Sequence, residues 1–82
     1  MKQHNYDPLI DRVAKVLISR RQQLSISQEQ LAQRSGLHRT YISDIERGSR
    51  NMSLQTLGRL AAALDVKPWQ VLALADENAS SS

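Results

Sequence analysis

Apolar residues recur along this chain at helical spacing, in five segments separated by short polar breaks. In the first, Leu9, Val13, Val16 and Leu17 fall at i, i+4, i+7 and i+8 and form one stripe, with Ile10 beside it. Asp7 is placed to cap this helix and Pro8 to take its first position, where a missing N–H costs nothing. The pattern runs to about Gln22. The second segment opens with Ser27 and Gln30 at capping-box spacing, flanked by Ile26 and Leu31 as a hydrophobic staple, and closes at Gly36, which can adopt the left-handed conformation.

A short turn later, Leu37 and Ile42 repeat the staple spacing around a cap at His38, and Ile42 and Ile45 give the third helix its apolar side; it stops near Gly48. The stretch RGSRNMS, Arg47 to Ser53, is polar and rich in turn formers. Ser53 caps a fourth helix whose stripe is Leu54, Leu57, Leu60, Ala61 and Leu64. A short fifth begins around Pro68, with Trp69, Leu72 and either Val71 or Leu74 on its apolar sides. The last residues, ADENASSS, have nothing to bury and are expected to fray. No segment alternates in the manner of a strand, and the aromatics are limited to Tyr6, Tyr41 and Trp69. The expected class is all-α, with an N-terminal arm over 1–6, one domain over 7–75 and a disordered tail over 76–82.

With 82 residues the chain has room for one domain. A domain of this size buries only about 60% of its unfolded surface, so a second subunit would help it, and a homodimer is expected. There is no cysteine, which excludes disulfides and thiol chemistry and favours the cytosol. No apolar run approaches the ~18 residues a membrane span needs, and MKQHNYDP lacks a signal-peptide core, so no membrane association is expected.

The net charge of +3 is uninformative, but its distribution is not. Between Arg12 and Arg50 stand eight basic residues (Arg12, Lys15, Arg20, Arg21, Arg34, Arg39, Arg47, Arg50) and three acidic ones (Glu29, Asp44, Glu46). A basic flank of that kind points to a polyanion.

The run QEQLAQRSGLHRTYISDIE, Gln28 to Glu46, has the outline of a helix-turn-helix: two short helices joined by a glycine-containing turn. Ala32 is small enough to admit the second helix, Gly36 makes the turn, and Leu31, Ile42 and Ile45 fill the space between. Those three are core residues that position and do not read. At 100° per residue Thr40, Ser43, Asp44 and Arg47 point away from Ile42 and Ile45, and Arg39 adjoins them at the helix start. Arg39 can pair with guanine through two bonds; Thr40 can offer a methyl or a hydroxyl, and Ser43 a hydroxyl.

Gln28, at a helix N-terminus, is suited to a phosphate, as are Arg47, Arg50, Asn51 and Ser53 along and after the third helix. Ser53 can serve as a helix cap as well. His38 is a helix-start residue that can touch a phosphate. Asp44 is repelled by phosphates unless it accepts from a cytosine amino group or from an arginine neighbour, and both options stand. Glu46, beside Ile45, wants a cationic partner, for which Arg21 is the candidate. His4 and His38 have no companions for a metal or catalytic site, so no enzyme activity, metal, cofactor or small-molecule substrate is expected.

The run from about Arg12 to Ala75 resembles the Cro/cI-type helix-turn-helix domain of phage repressors and the xenobiotic-response-element family, through SQEQLAQRSGLHRTYISDIERG followed by SLQTLGRLAAALDV. The resemblance implies a five-helix, lambda-repressor-like bundle with Gln28 on phosphate and Arg21 paired with Glu46. The segment HRTYISDIERGSRN also resembles the controller proteins of restriction-modification systems, small homodimers that regulate their own operon and the endonuclease gene. That likeness implies Arg39 on guanine, Thr40 and Ser43 on bases or phosphate, and Arg50 and Asn51 on the backbone. Two positions depart from the pattern: Lys67 stands where a capping Ser or Asp is commoner, and Asp44 is not a residue the pattern requires.

The resulting expectation is a cytoplasmic, nucleoid-associated transcription regulator that binds double-stranded DNA as a homodimer on a near-palindromic operator. Trp69 and Leu72 are candidates for the dimer contact, with membership of the monomer core the other role open to Trp69. The alternatives are a phage-type repressor and an antitoxin-like module that binds protein.

Overall fold

The computed structural model describes residues 8–80, and these form five helices with no strand. They are α1 (Pro8–Gln23), α2 (Gln28–Ser35), α3 (Arg39–Glu46), α4 (Leu54–Ala63) and α5 (Pro68–Ser80). The expected arm over 1–6, the Asp7 cap and the final two serines lie outside the described residues.

Local chemistry sets most of the boundaries. At the start of α2 the Ser27 hydroxyl accepts from the Gln30 N–H at 3.0 Å, and the Gln30 side chain accepts from the Ser27 N–H at 2.8 Å, so two otherwise unpaired donors are satisfied. Ser53 caps α4 by accepting from the Thr56 N–H at 3.0 Å. Lys67 cannot cap α5 with its own side chain, but Gln70 reaches back to accept from the Lys67 N–H at 2.8 Å, half of the same box. His38 occupies the capping position of α3 without a side-chain bond.

Three helix ends close in one way. Past α3, Ser49 N–H donates to the Asp44 carbonyl and Gly48 N–H to that of Ile45, with Gly48 at φ +71°. Past α1 and α4 the same pair of bonds forms, from Ile26 to Arg21 and Ser25 to Gln22, and from Val66 to Ala61 and Asp65 to Ala62. There the left-handed residue is Ser25 or Asp65 rather than glycine. Arginines supply further donors to the end of α4: Arg20 Nε to the Leu64 carbonyl at 2.8 Å and Arg34 to that of Ala63 at 3.3 Å.

α1 packs on α5 and α3, α2 on α3 and α4, and α4 on α5. Leu17, Leu31, Ile42, Ile45, Leu60, Leu64 and Val71 are fully buried where these helices meet. Two helices differ from the sequence reading. Leu54 is 82% exposed, so the buried stripe of α4 begins at Leu57; residue 54 lies in the first turn, before the helix reaches the core. α5 buries Val71 and Ala75, while Trp69 is 63% exposed and is not a core residue. α5 also runs to Ser80, past the expected boundary at 75, because no glycine or proline interrupts it, although Ala75 is its last buried residue among those described. No helix among the described residues is long and apolar enough to cross a membrane.

Candidate nucleic-acid interface

The geometry of α2 and α3 follows from a small contact surface. Leu31, Ala32 and the inner pair Ile42 and Ile45 are buried, and Gly36, at φ +77°, turns the chain between them with its N–H on the Ala32 carbonyl at 2.9 Å. An added Cβ at Gly36 would lie 3.1 Å from the Arg59 guanidinium, in a backbone conformation that side chains rarely adopt.

A buried ion pair fixes α3 against the rest of the bundle. Arg21 on α1 donates to both Glu46 oxygens, at 2.6 and 3.0 Å, and to the Ile26 carbonyl at 2.9 Å. The two side chains are only 15% and 7% exposed. The Gln28 amide adds a fourth hydrogen bond to this cluster by donating to Glu46 at 2.9 Å. Three helices therefore meet at one carboxylate, and the outward aim of α3 is set from beneath. Gln28, expected on phosphate, has its amide group committed to Glu46 in this structure, and its carbonyl oxygen faces the Arg39 guanidinium at 3.5 Å.

With Ile42 and Ile45 turned inward, the outer side of α3 carries Arg39, Thr40, Ser43, Asp44 and Arg47. Arg39 and Thr40 are exposed at its start, with His38 exposed just before them. Arg39 also stands 3.7 Å from Glu29, both side chains more than half exposed. Such a pair is worth about 0–1 kcal/mol, so a base or phosphate can displace it readily.

At the other end of α3 the Asp44 carboxylate accepts from Arg47 and lies 3.5 Å from Arg50. Of the two partners left open by the sequence, the arginine neighbour is the one present here. Arg47 also donates to the Ser43 hydroxyl at 2.8 Å, and the Arg50 guanidinium sits 4.8 Å from the centre of the Tyr41 ring. Asn51 and Ser53 follow in the exposed loop. Arg39, Thr40, Ser43, Arg47, Arg50 and Asn51 are thus carried by one helix and the loop it feeds.

The basic surplus read from the sequence is divided. Arg12 donates to the Ala75 carbonyl at 3.1 Å, Arg20 and Arg34 serve the end of α4, and Arg21 is buried on Glu46. The arginines that remain for α3 and its loop are Arg39, Arg47 and Arg50. Sequence reasoning overlooked two residues here: Tyr41, the platform for Arg50, and Glu29, the partner of Arg39. An aromatic one position before the core residue Ile42 was the available signal for the first; the second depends on how α2 and α3 sit together. Among the described residues no group of three His, Cys, Asp or Glu side chains is placed to hold a metal ion.

Comparison with known proteins agrees with this arrangement. Residues 17–68 match the model of the family described as helix-turn-helix. The control protein C.BamHI of Bacillus amyloliquefaciens is 54% identical over 48 residues, which make up 58% of this chain and 59% of that protein. The match therefore spans less than two thirds of that relative. Among solved structures, the restriction-modification controller protein C.AhdI from Aeromonas hydrophila superposes with a TM-score of 0.73 at 40% identity, covering 76% of this chain and 94% of that one. The C.Esp1396I controller protein, solved as a tetramer with its natural 35 base-pair operator, gives a TM-score of 0.78 at 35% identity, covering 84% and 91% of the two chains.

Proposed function

Because the chain belongs to the helix-turn-helix family, we propose that it is a sequence-specific, DNA-binding transcription regulator acting as a homodimer, and that it controls its own operon and a restriction endonuclease gene. The observation that carries this reading is the two-sidedness of α3: Ile42 and Ile45 are 1% exposed, while Arg39, Thr40 and Arg47 stand clear on the other side. A helix held in this way can enter a major groove with its first residues at the base edges. Arg39 is the base reader, with Thr40 and Ser43 beside it. Arg47, Arg50 and Asn51 bind the phosphates that flank the groove, with His38 and the polar start of α2 at Gln28 on the other flank. Ser53 serves first as the cap of α4. The likeness to controller proteins, one of them solved on its operator, supports the choice of partner and of regulated genes. The protein would act in the cytoplasm, at the nucleoid.

Self-association is supported by what the monomer leaves uncovered. Leu54 and Trp69 are 82% and 63% exposed. Leu72, one turn from Trp69 on α5, lines a shallow apolar groove with Leu9, Ile10, Met52 and Leu54. A second copy covering this face would supply the pair of recognition helices that a near-palindromic site with half-sites about one DNA turn, ~34 Å, apart requires.

Duplex binding and its salt dependence test the reading. Each phosphate neutralised steepens the fall of log affinity with log salt by about 0.9, so binding should weaken by orders of magnitude between about 50 and 200 mM salt. Arg39→Ala is expected to cost roughly 1–3 kcal/mol of discrimination between operator and altered duplex. Unchanged discrimination would show that Arg39 does not read bases, and salt-independent binding would remove the phosphate contacts from the account.

A further inference from the structure

Asp44 is an unexpected residue on a surface meant for phosphates. It is the acidic side chain that α3 turns outward, since Glu46 is turned inward onto Arg21. A carboxylate there opposes any polyanion, yet the structure gives it several partners. Its oxygens engage Arg47, one turn along α3, and Arg50, in the following loop. Its main-chain carbonyl accepts from both the N–H and the hydroxyl of Ser49, at 3.1 and 3.0 Å, which fixes the turn leading to Arg50. The Asp44 side chain is 23% exposed, against 62% for Arg47 and 56% for Arg50, so the carboxylate is the most buried member of the cluster. Each arginine has a second tether: Arg47 on the Ser43 hydroxyl and Arg50 against the Tyr41 ring.

Long arginine side chains free to swing can find a phosphate on any duplex, and such contacts make up sequence-independent binding. Arginines biased toward particular points, here by part-exposed pairs worth about 0–1 kcal/mol each, meet phosphates best when base contacts have set the register of the duplex. The carboxylate adds a like-charge cost that every duplex meets, and the correctly seated one offsets it best.

Building on the DNA-binding reading above, we propose that Asp44 is a specificity-determining positioning residue: its carboxylate holds Arg47, at the end of α3, and Arg50, in the loop that follows, in place and suppresses binding to duplex of the wrong sequence. It does this without touching a base itself. Removing the charge while keeping the shape should therefore release both arginines and favour random DNA over the operator.

The test compares the parent with Asp44→Asn, Asp44→Glu and Asp44→Asn in an Arg47→Ala, Arg50→Ala background, with helicity checked by circular dichroism. Asp44→Ser, read in the same way, replaces Asp44→Asn should that variant lose its helicity. The probes are a labelled duplex selected from a random pool by the parent protein and a scrambled duplex of equal length, titrated from about 50 to 200 mM salt. Asp44→Asn is expected to bind the scrambled duplex about 10-fold more tightly, with a salt slope steeper by about 0.9 for each phosphate gained. The selected duplex should gain less, so that the ratio of the two affinities falls several-fold. Asp44→Glu should keep the ratio near that of the parent, and the gain on scrambled DNA should vanish without the two arginines. An equal change on both duplexes, or weaker binding to both at an unaltered slope, would overturn the proposal and leave the DNA-binding reading standing. A parent protein that binds no duplex would overturn both.

Discussion

Replacing Glu46 with alanine removes the carboxylate on which α1, α2 and α3 converge. It leaves the Arg21 guanidinium, 15% exposed, with the Ile26 carbonyl as its remaining acceptor, and takes away the acceptor of the Gln28 amide. Breaking a buried pair by deleting one partner typically costs about 3–5 kcal/mol, because the other charge stays behind unpaired. The residual exposure of Arg21 and its retained bond place this case near the lower end, at ~3 kcal/mol. At roughly 0.05–0.15 kcal/mol per residue the whole chain is stable by only ~4–12 kcal/mol. A shift of about 4–8 °C per kcal/mol for a domain of this size then gives a melting point lower by roughly 12–24 °C.

The assay is urea and thermal unfolding followed by circular dichroism at one fixed protein concentration, since self-association contributes to apparent stability. The double variant Arg21→Met, Glu46→Leu provides the control. With both charges gone no charge is left unpaired, only the Gln28 amide and the Ile26 carbonyl lose a partner, and stability should return to within about 1 kcal/mol of the parent. A single variant that loses less than ~0.5 kcal/mol would show that the pair does not hold α3 in place. A double variant as unstable as the single one would show that the loss comes from packing and not from an abandoned charge.

Two further substitutions probe separate features. Gly58 lies inside α4, and a Cβ added there meets nothing within 4 Å; Gly58→Ala should therefore stabilise the fold by ~0.5–1 kcal/mol, read as a raised melting point, and a destabilised variant would contradict the free space seen around it. Leu54→Glu should leave monomer stability within about 0.5 kcal/mol, because the side chain is 82% exposed and an acid suits the first turn of a helix. If Leu54 belongs to the dimer face, sedimentation should show the dissociation constant of Leu54→Glu raised at least about 10-fold.

Signals that act within one turn of helix were legible in the sequence. Ser27 with Gln30, Ser53 and Gly36 mark their helix ends through bonds to residues three or four positions away, and the structure forms each of those bonds. Leu31, Ile42 and Ile45 were identifiable as core because spacing alone puts them on one side. The ends of α1 and α4 were harder to read, since Ser25 and Asp65 adopt the left-handed conformation normally left to glycine. In α5 apolar residues lie on several sides, so periodicity could not single out Val71 and Ala75, and packing on α1 and α4 makes the choice. The basic window misled in part for the same reason: whether an arginine serves a phosphate or a distant carbonyl, as Arg20 serves Leu64 across 44 positions, depends on tertiary structure.

The most direct test of α3 as a DNA-reading element is selection of random-sequence duplexes by the purified protein, followed by mapping of the protected bases. An enriched two-fold symmetric site is expected, with half-site centres one helical turn apart, about 10–10.5 base pairs or a multiple of it. Protection should fall in the major groove of each half-site, and Arg39→Ala should no longer select the same bases. A pool that remains random after repeated rounds, or an enriched site that Arg39→Ala selects just as well, would contradict the assignment of the exposed side of α3 to sequence recognition.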